Sequence, residues 1–187
     1  MTRNILPILF AASVFLAGSV LAQTTAANPK VLLKTTKGDI TIELYPAKAP
    51  ITVKNILDYV EAKFYDGLIF HRVIPNFMIQ CGGLNAEMGQ KMGHAPIKNE
   101  SGNGLKNARG FVAMARTQEL DSATSQFYIN LVDNFNLDQM KYCVFGKVVA
   151  GMEVVDAIAK VPTGSKRGHQ NVPLEPITIL SATVVGK

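Results

Sequence analysis

The chain has 187 residues, of which 48% are apolar and 18% charged, with a formal charge of +5. This length supports one sizeable core, and the composition excludes a disordered or low-complexity chain. Its basic residues are scattered, densest at Lys166-Arg167 and not interleaved with aromatic side chains, so a nucleic-acid platform is not expected.

Residues 1–22 read as a secretory signal peptide. Arg3 gives a basic start, and the apolar run from Ile5 to Leu21 is broken by Pro7, Ser13, Gly18 and Ser19. That run falls short of the ~20 residues of a comfortable membrane span, so an uncleaved anchor is the weaker alternative. Compact residues before Gln23 put the cleavage after Ala22. Cleavage removes Arg3 alone among the charged residues and leaves +4. The expected product is an exported protein with no stable membrane association: a flexible lead-in over 23–30 and one domain over 31–187.

Val31 to Thr36 and Ile40 to Tyr45 flank Lys37-Gly38-Asp39, and Ile40, Ile42 and Leu44 alternate with polar residues, as in a hairpin with one buried face. Pro50 then stands at a helix start, with Val53, Ile56, Leu57 and Val60 at helical spacing up to about Ala62. Short strand-like runs follow: LIFHRVI, FMIQC, FVAMA, SQFYINLV and YCVFGKVVA. A long loop is expected over 82–110. A second helix opens at Gly151-Met152-Glu153 and stops at Val161-Pro162, and a final strand covers about Ile177 to Val185. Strands and helices do not alternate, which disfavours a parallel sheet. The expectation is a mainly β chain, an antiparallel barrel or sandwich capped by two helices.

The usual catalytic sets are missing. His71, His94 and His169 lack metal-ligand spacing, there is no GxSxG elbow, and Gly102-Asn103-Gly104 reads as an ordinary turn. No metal or cofactor is implied. Cys81 and Cys143 lie in apolar runs, so buried free thiols are the plain reading and a disulfide the alternative in an oxidising compartment. What remains is a set of polar residues inside apolar strands: Arg72, Gln80, Arg116 and Gln126. A lone arginine on such a strand is ordinarily a solvated surface charge.

Four motifs in order, FHRVIPNFMIQ (70–80), RGFVAMAR (109–116), SQFYIN (125–130) and VFGKVVAGMEVVD (144–156), resemble the successive signatures of cyclophilin-type peptidyl-prolyl isomerases. PIKNE at 96–100 and KYCVFG resemble the exported bacterial branch. The resemblance spans about Val31 to Val185 and implies a closed eight-stranded antiparallel β-barrel capped by two helices, with the substrate groove on its outer face.

It also implies roles. Arg72 matches the catalytic arginine and Gln80 the amide that orients it. Phe77, Met78, Tyr128 and Leu137 match the proline pocket, Gln126 a second orienting amide, and Ala115 and Arg116 the pair whose backbone meets the substrate. Tyr142 stands in the same site where eukaryotic members carry a histidine. Asn136 stands where they carry a tryptophan that contributes to cyclosporin binding, which implies weakened affinity for that drug. Tyr128 replaces a phenylalanine and brings a hydroxyl that needs a partner. Cys81 stands where the family usually has glycine. The implied partners are proline-containing polypeptides, above all unfolded exported proteins in the periplasm, met by a monomer. A polypeptide-binding chaperone module, with isomerisation incidental, is the alternative function.

Overall fold

The structure is a computed structural model that describes Met1 and residues 27–186. Apart from Met1, the expected signal peptide lies outside the described residues. Ordered structure begins within the stretch expected as a lead-in: the Pro29 carbonyl accepts from Leu44 N at 2.9 Å, and Lys30 opens the first strand.

Among the described residues, ten strands and three helices follow one another as β1 (Lys30–Thr35), β2 (Gly38–Leu44), α1 (Pro50–Glu61), β3 (Arg72–Ile74), β4 (Met78–Cys81), β5 (Phe111–Met114), β6 (Phe127–Asn130), α2 (Asn136–Gln139), β7 (Val144–Ala150), α3 (Met152–Ala159), β8 (Thr163–Lys166), β9 (His169–Pro173) and β10 (Ile179–Val185). Eight strands form one antiparallel sheet in the order β10-β1-β2-β7-β5-β6-β4-β3. The sheet curls on itself, with its apolar inner faces filling the interior around Leu33, Ile40, Tyr65, Ile79, Ile129 and Phe145. Each such side chain, fully buried, contributes about 1.5–3 kcal/mol. Cys81 is part of this core, and both cysteines are buried free thiols, so the disulfide alternative is set aside.

The closure is looser than the fully closed barrel expected. Edge strands β10 and β3 are joined only through the residues beside them: Ile69 bridges Thr178, Phe70 N donates to Ile177 O at 3.0 Å, and Ile179 N to Leu68 O at 2.8 Å. LIFHRVI, read as one strand, is therefore two pieces, one pairing toward β10 and the other, starting at Arg72, pairing with β4.

Of the two expected helices, α1 begins at Pro50 and buries Val53, Ile56 and Val60. Its own N-cap, Ala49, offers no side-chain bond; instead the Glu100 carboxylate accepts from Ile51 N (3.0 Å), Thr52 N (2.8 Å) and Thr52 Oγ1 (2.7 Å). A carboxylate there satisfies orphan amides and opposes the positive end of the helix dipole. It also pins the long loop before β5 to the barrel. The other expected helix, α3, starts from Gly151 at φ 84°, where a Cβ would collide with the Asp39 carbonyl. Two elements were not expected: the single turn α2, and the β8–β9 hairpin that packs against β3.

Candidate active site

Register and pleat build the site. Arg72 on β3 stands opposite Gln80 on β4, Gln80 opposite Tyr128 on β6, and Tyr128 opposite Ala113 on β5. Because successive side chains alternate, Val73, Ile79, Phe127, Ile129 and Val112 point into the barrel core while this row lies on the outer face. Met78, Ala113, Tyr128, Leu137 and Val144 form a second apolar cluster, separate from the core, with Phe77, Ala115 and Tyr142 packed at its margin.

Phe77 and Met78 are sequence neighbours that reach the same cluster because only Met78 lies in the strand. Phe77 ends the turn that starts at Ile74, whose carbonyl accepts from Phe77 N at 3.2 Å, and Asn76 in that turn has φ 57°. Leu137 arrives on α2, whose N-terminal turn closes with Leu137 N on Asn134 O at 2.9 Å.

The result is a groove of about 300 Å³ lined by nine of the ten residues singled out in the sequence: Arg72, Phe77, Met78, Gln80, Ala115, Arg116, Tyr128, Leu137 and Tyr142. Asn136 lines it as well, and so does Met140, which the sequence reading did not name. Gln126 stands apart, behind Gln80. Arg72 Nη1 lies 3.4 Å from Gln80 Oε1, and Gln80 Nε2 donates to Gln126 Oε1 at 2.9 Å. Gln80 thus has one end on the guanidinium and the other on a second carboxamide.

Arg116 is held away from the groove's centre. Its guanidinium donates to the carbonyls of Thr117 (2.8 Å), Gln118 (3.1 Å) and Met140, and lies 4.6 Å over the Tyr142 ring. These contacts tie the segment after β5 to the end of α2.

The Tyr128 hydroxyl finds its partner in Asn107, donating to Oδ1 at 2.8 Å. Burial, with Tyr142 and Asp138 nearby, pushes its pKa up, so it remains a donor. Asn107 is fully buried and also accepts from Asn130 Nδ2 (3.2 Å), while its own N and Nδ2 both donate to Asp138 Oδ1 at 2.9 Å. Sequence reasoning missed Asn107; the Tyr128 hydroxyl called for a partner, but nothing in the sequence said which residue supplies it.

Gly83 makes room for this arrangement. A Cβ there would come within 2.5 Å of Gln126 Nε2. Gly83→Ala is expected to swing the Gln126 side chain off Gln80 and loosen Arg72, lowering kcat/KM for a prolyl peptide about tenfold (~1.4 kcal/mol) with little change in melting temperature. Steady-state kinetics beside a thermal melt measure both.

His71 precedes Arg72 and is 6% exposed. Burial, together with the charges of His169 and Arg72, lowers its pKa from 6.5 to about 4 despite opposing contacts with the Ile69 carbonyl and Gln126. Between those values the unfolded chain takes up a proton that the folded one refuses, so stability rises with pH across this window. We expect folding free energy to fall by at most roughly 3 kcal/mol from pH 6.5 to 4. Denaturant titrations of His71→Asn should show a flatter pH profile; an unchanged slope would assign the acid sensitivity elsewhere.

Among the described residues no three His, Cys, Asp or Glu side chains are grouped closely enough to hold a metal ion. The chemistry available is a guanidinium beside an apolar floor, with the Gln80 carboxamide next to it and Gln126 behind, and no Ser, Cys, His, Asp or Glu among the described residues that line the groove.

The family model described as cyclophilin type peptidyl-prolyl cis-trans isomerase/CLD matches residues 30–184. The chain belongs to the cyclophilin family. It is 53% identical over 176 residues to a peptidyl-prolyl cis-trans isomerase of Acinetobacter baylyi, covering 92% of this chain and 94% of that one. It is also 53% identical over 161 residues to peptidyl-prolyl cis-trans isomerase B of Escherichia coli, covering 82% and 98%. Among solved structures, a Cryptosporidium parvum cyclophilin crystallised in the presence of the dipeptide Ala-Pro superposes with a TM-score of 0.72 at 26% identity, over 84% of this chain and 99% of that one. This cyclophilin is therefore a peptidyl-prolyl cis-trans isomerase, and the curled antiparallel sheet is the fold of its family.

Proposed function

We propose that Arg72 catalyses isomerisation by donating a hydrogen bond to the prolyl nitrogen of the twisted amide. Rotation about an X-Pro bond breaks amide resonance and faces a barrier of ~18–20 kcal/mol. At the top of that barrier the nitrogen regains a lone pair, which the planar ground state does not offer. A donor aimed there favours the transition state alone. The guanidinium stays protonated and presents a fixed fork of donors.

The observation that carries this reading is the chain Gln126-Gln80-Arg72 at the head of an apolar groove. Phe77, Met78, Tyr128 and Leu137 hold the proline ring against the floor, Tyr142 closes the side, and the main chain at Ala115 and Arg116 meets the peptide backbone. Substrates are proline-containing polypeptides. With the signal peptide read over 1–22, they are exported proteins folding in the periplasm, met by a monomeric enzyme.

A coupled isomerisation assay on the mature chain, wild type beside Arg72→Ala, tests the catalytic role, and undiminished turnover by the variant overturns it. Fractionation of cells expressing the full chain tests the location; protein of unprocessed mass in the cytoplasm would remove the exported substrates from the reading.

A further inference from the structure

A second cavity, of about 540 Å³, shares Arg72 and Gln80 with the proline groove. Its other walls include His71 and Gln126 from the barrel, Leu84 and Gln90 from the long loop, and His169, Gln170 and Asn171 from the β8–β9 hairpin. The catalytic reading does not use this hairpin, and Lys166 fixes it to the long loop by donating to Ala86 O at 2.8 Å. The two cavities differ in chemistry: the proline groove has an apolar floor, whereas this one is walled mainly by carboxamides and imidazoles, with Leu84 the one aliphatic side chain among its described lining residues.

We propose that the cavity is a second substrate subsite that takes an uncharged hydrogen-bonding side chain, Ser, Thr, Asn or Gln, from a residue flanking the proline. The inference rests on the reading of the first groove as the proline site. Because Arg72 and Gln80 are common walls, a peptide seated with its proline over Met78 brings a neighbouring residue, ~3.3 Å further per position when extended, to the second cavity.

Each carboxamide offers both a donor and an acceptor and serves a hydroxyl or an amide equally. An apolar side chain would strip water from those groups and give nothing back. The charged alternatives fail on Arg72: a cation meets the guanidinium, and a carboxylate pairs with it and draws it off the prolyl nitrogen. Among the described residues that line the cavity none is a carboxylate. Burial keeps His71 neutral at pH 7, so it adds no charge of its own.

The test is a set of short prolyl peptides with Ala, Ser, Gln, Leu or Glu at each of the two positions before and the two after the proline. At one position kcat/KM should favour Ser and Gln over Ala by about three- to tenfold, as one or two net hydrogen bonds give, with Leu and Glu no better than Ala. In Gln170→Leu and in His169→Leu, both exposed positions on the hairpin, the Ser or Gln preference over Ala should shrink toward one. Equal rates across the set, a preference for Leu or Glu, or a Ser and Gln preference that survives both variants overturns the subsite. Failure of the first groove's reading is separate: it shows as Arg72→Ala turning over the all-Ala peptide like wild type.

Discussion

Arg72→Ala is expected to lower kcat for an Ala-Pro peptide by about 2–4 kcal/mol of transition-state stabilisation, roughly 30- to 1000-fold, the range for one preorganised donor. KM should change little, because the proline ring is assigned to the apolar side chains of Met78, Tyr128 and Leu137, which Arg72 meets through a single contact, Nη1 at 3.9 Å from Met78 Sδ. Arg72→Lys should not restore the rate. An ammonium is a mobile point charge on a flexible stem, whereas the guanidinium fork can rest one nitrogen near Gln80 Oε1 at 3.4 Å and keep other donors for the substrate. The melting temperature should stay near wild type, since Arg72 is only half-buried and makes no ion pair among the described residues. A coupled proteolytic assay with a thermal melt on each variant checks this; a raised KM with kcat intact would make Arg72 a binding residue instead.

Gln80 explains why this arginine differs from a solvated surface charge. In sequence, Arg72 is one cation in an apolar run, and the default for a lone arginine there is a solvated place on the outer face. That is where it stands, and the register then brings Gln80 directly opposite. The motif resemblance supplied what periodicity could not, a reason to group Arg72 with Phe77, Met78, Tyr128 and Leu137 although the five come from five separate elements or turns.

The β1–β2 hairpin, α1 and α3 were legible because their apolar residues recur at the spacing each element requires. The β8–β9 hairpin was not: TGSK and HQNVP carry no apolar alternation, and its strands are held by pairing with each other and by packing on β3. Glu100 and Asn107 were hidden for another reason. Each sits in a loop, where a polar residue looks like turn chemistry, and their main partners lie 48 and 21 to 31 positions away. Local spacing carries no trace of bonds made over that distance.

Asn107→Ala should be the most damaging single change among the buried residues that support the groove, and it should act on both stability and binding. Removing the carboxamide leaves the Tyr128 hydroxyl without its acceptor, Asn130 Nδ2 with Phe111 O alone, and Asp138 Oδ1 with one donor fewer. A buried group left unpaired costs about 1–3 kcal/mol, and a net loss of roughly 3 kcal/mol is expected. For a domain of this size that is a fall of about 6–12 °C in melting temperature. KM should rise as well, because the Asn107 side chain holds Tyr128 on β6 by its hydroxyl and α2, which carries Leu137, by way of Asp138. Tyr128→Phe separates this from general loosening: it removes the hydroxyl that Asn107→Ala strands, so in the double variant part of the stability and KM defect should return, with a coupling energy of about 0.5–3 kcal/mol. Strictly additive effects would mean that Asn107 supports the barrel without holding the pocket wall.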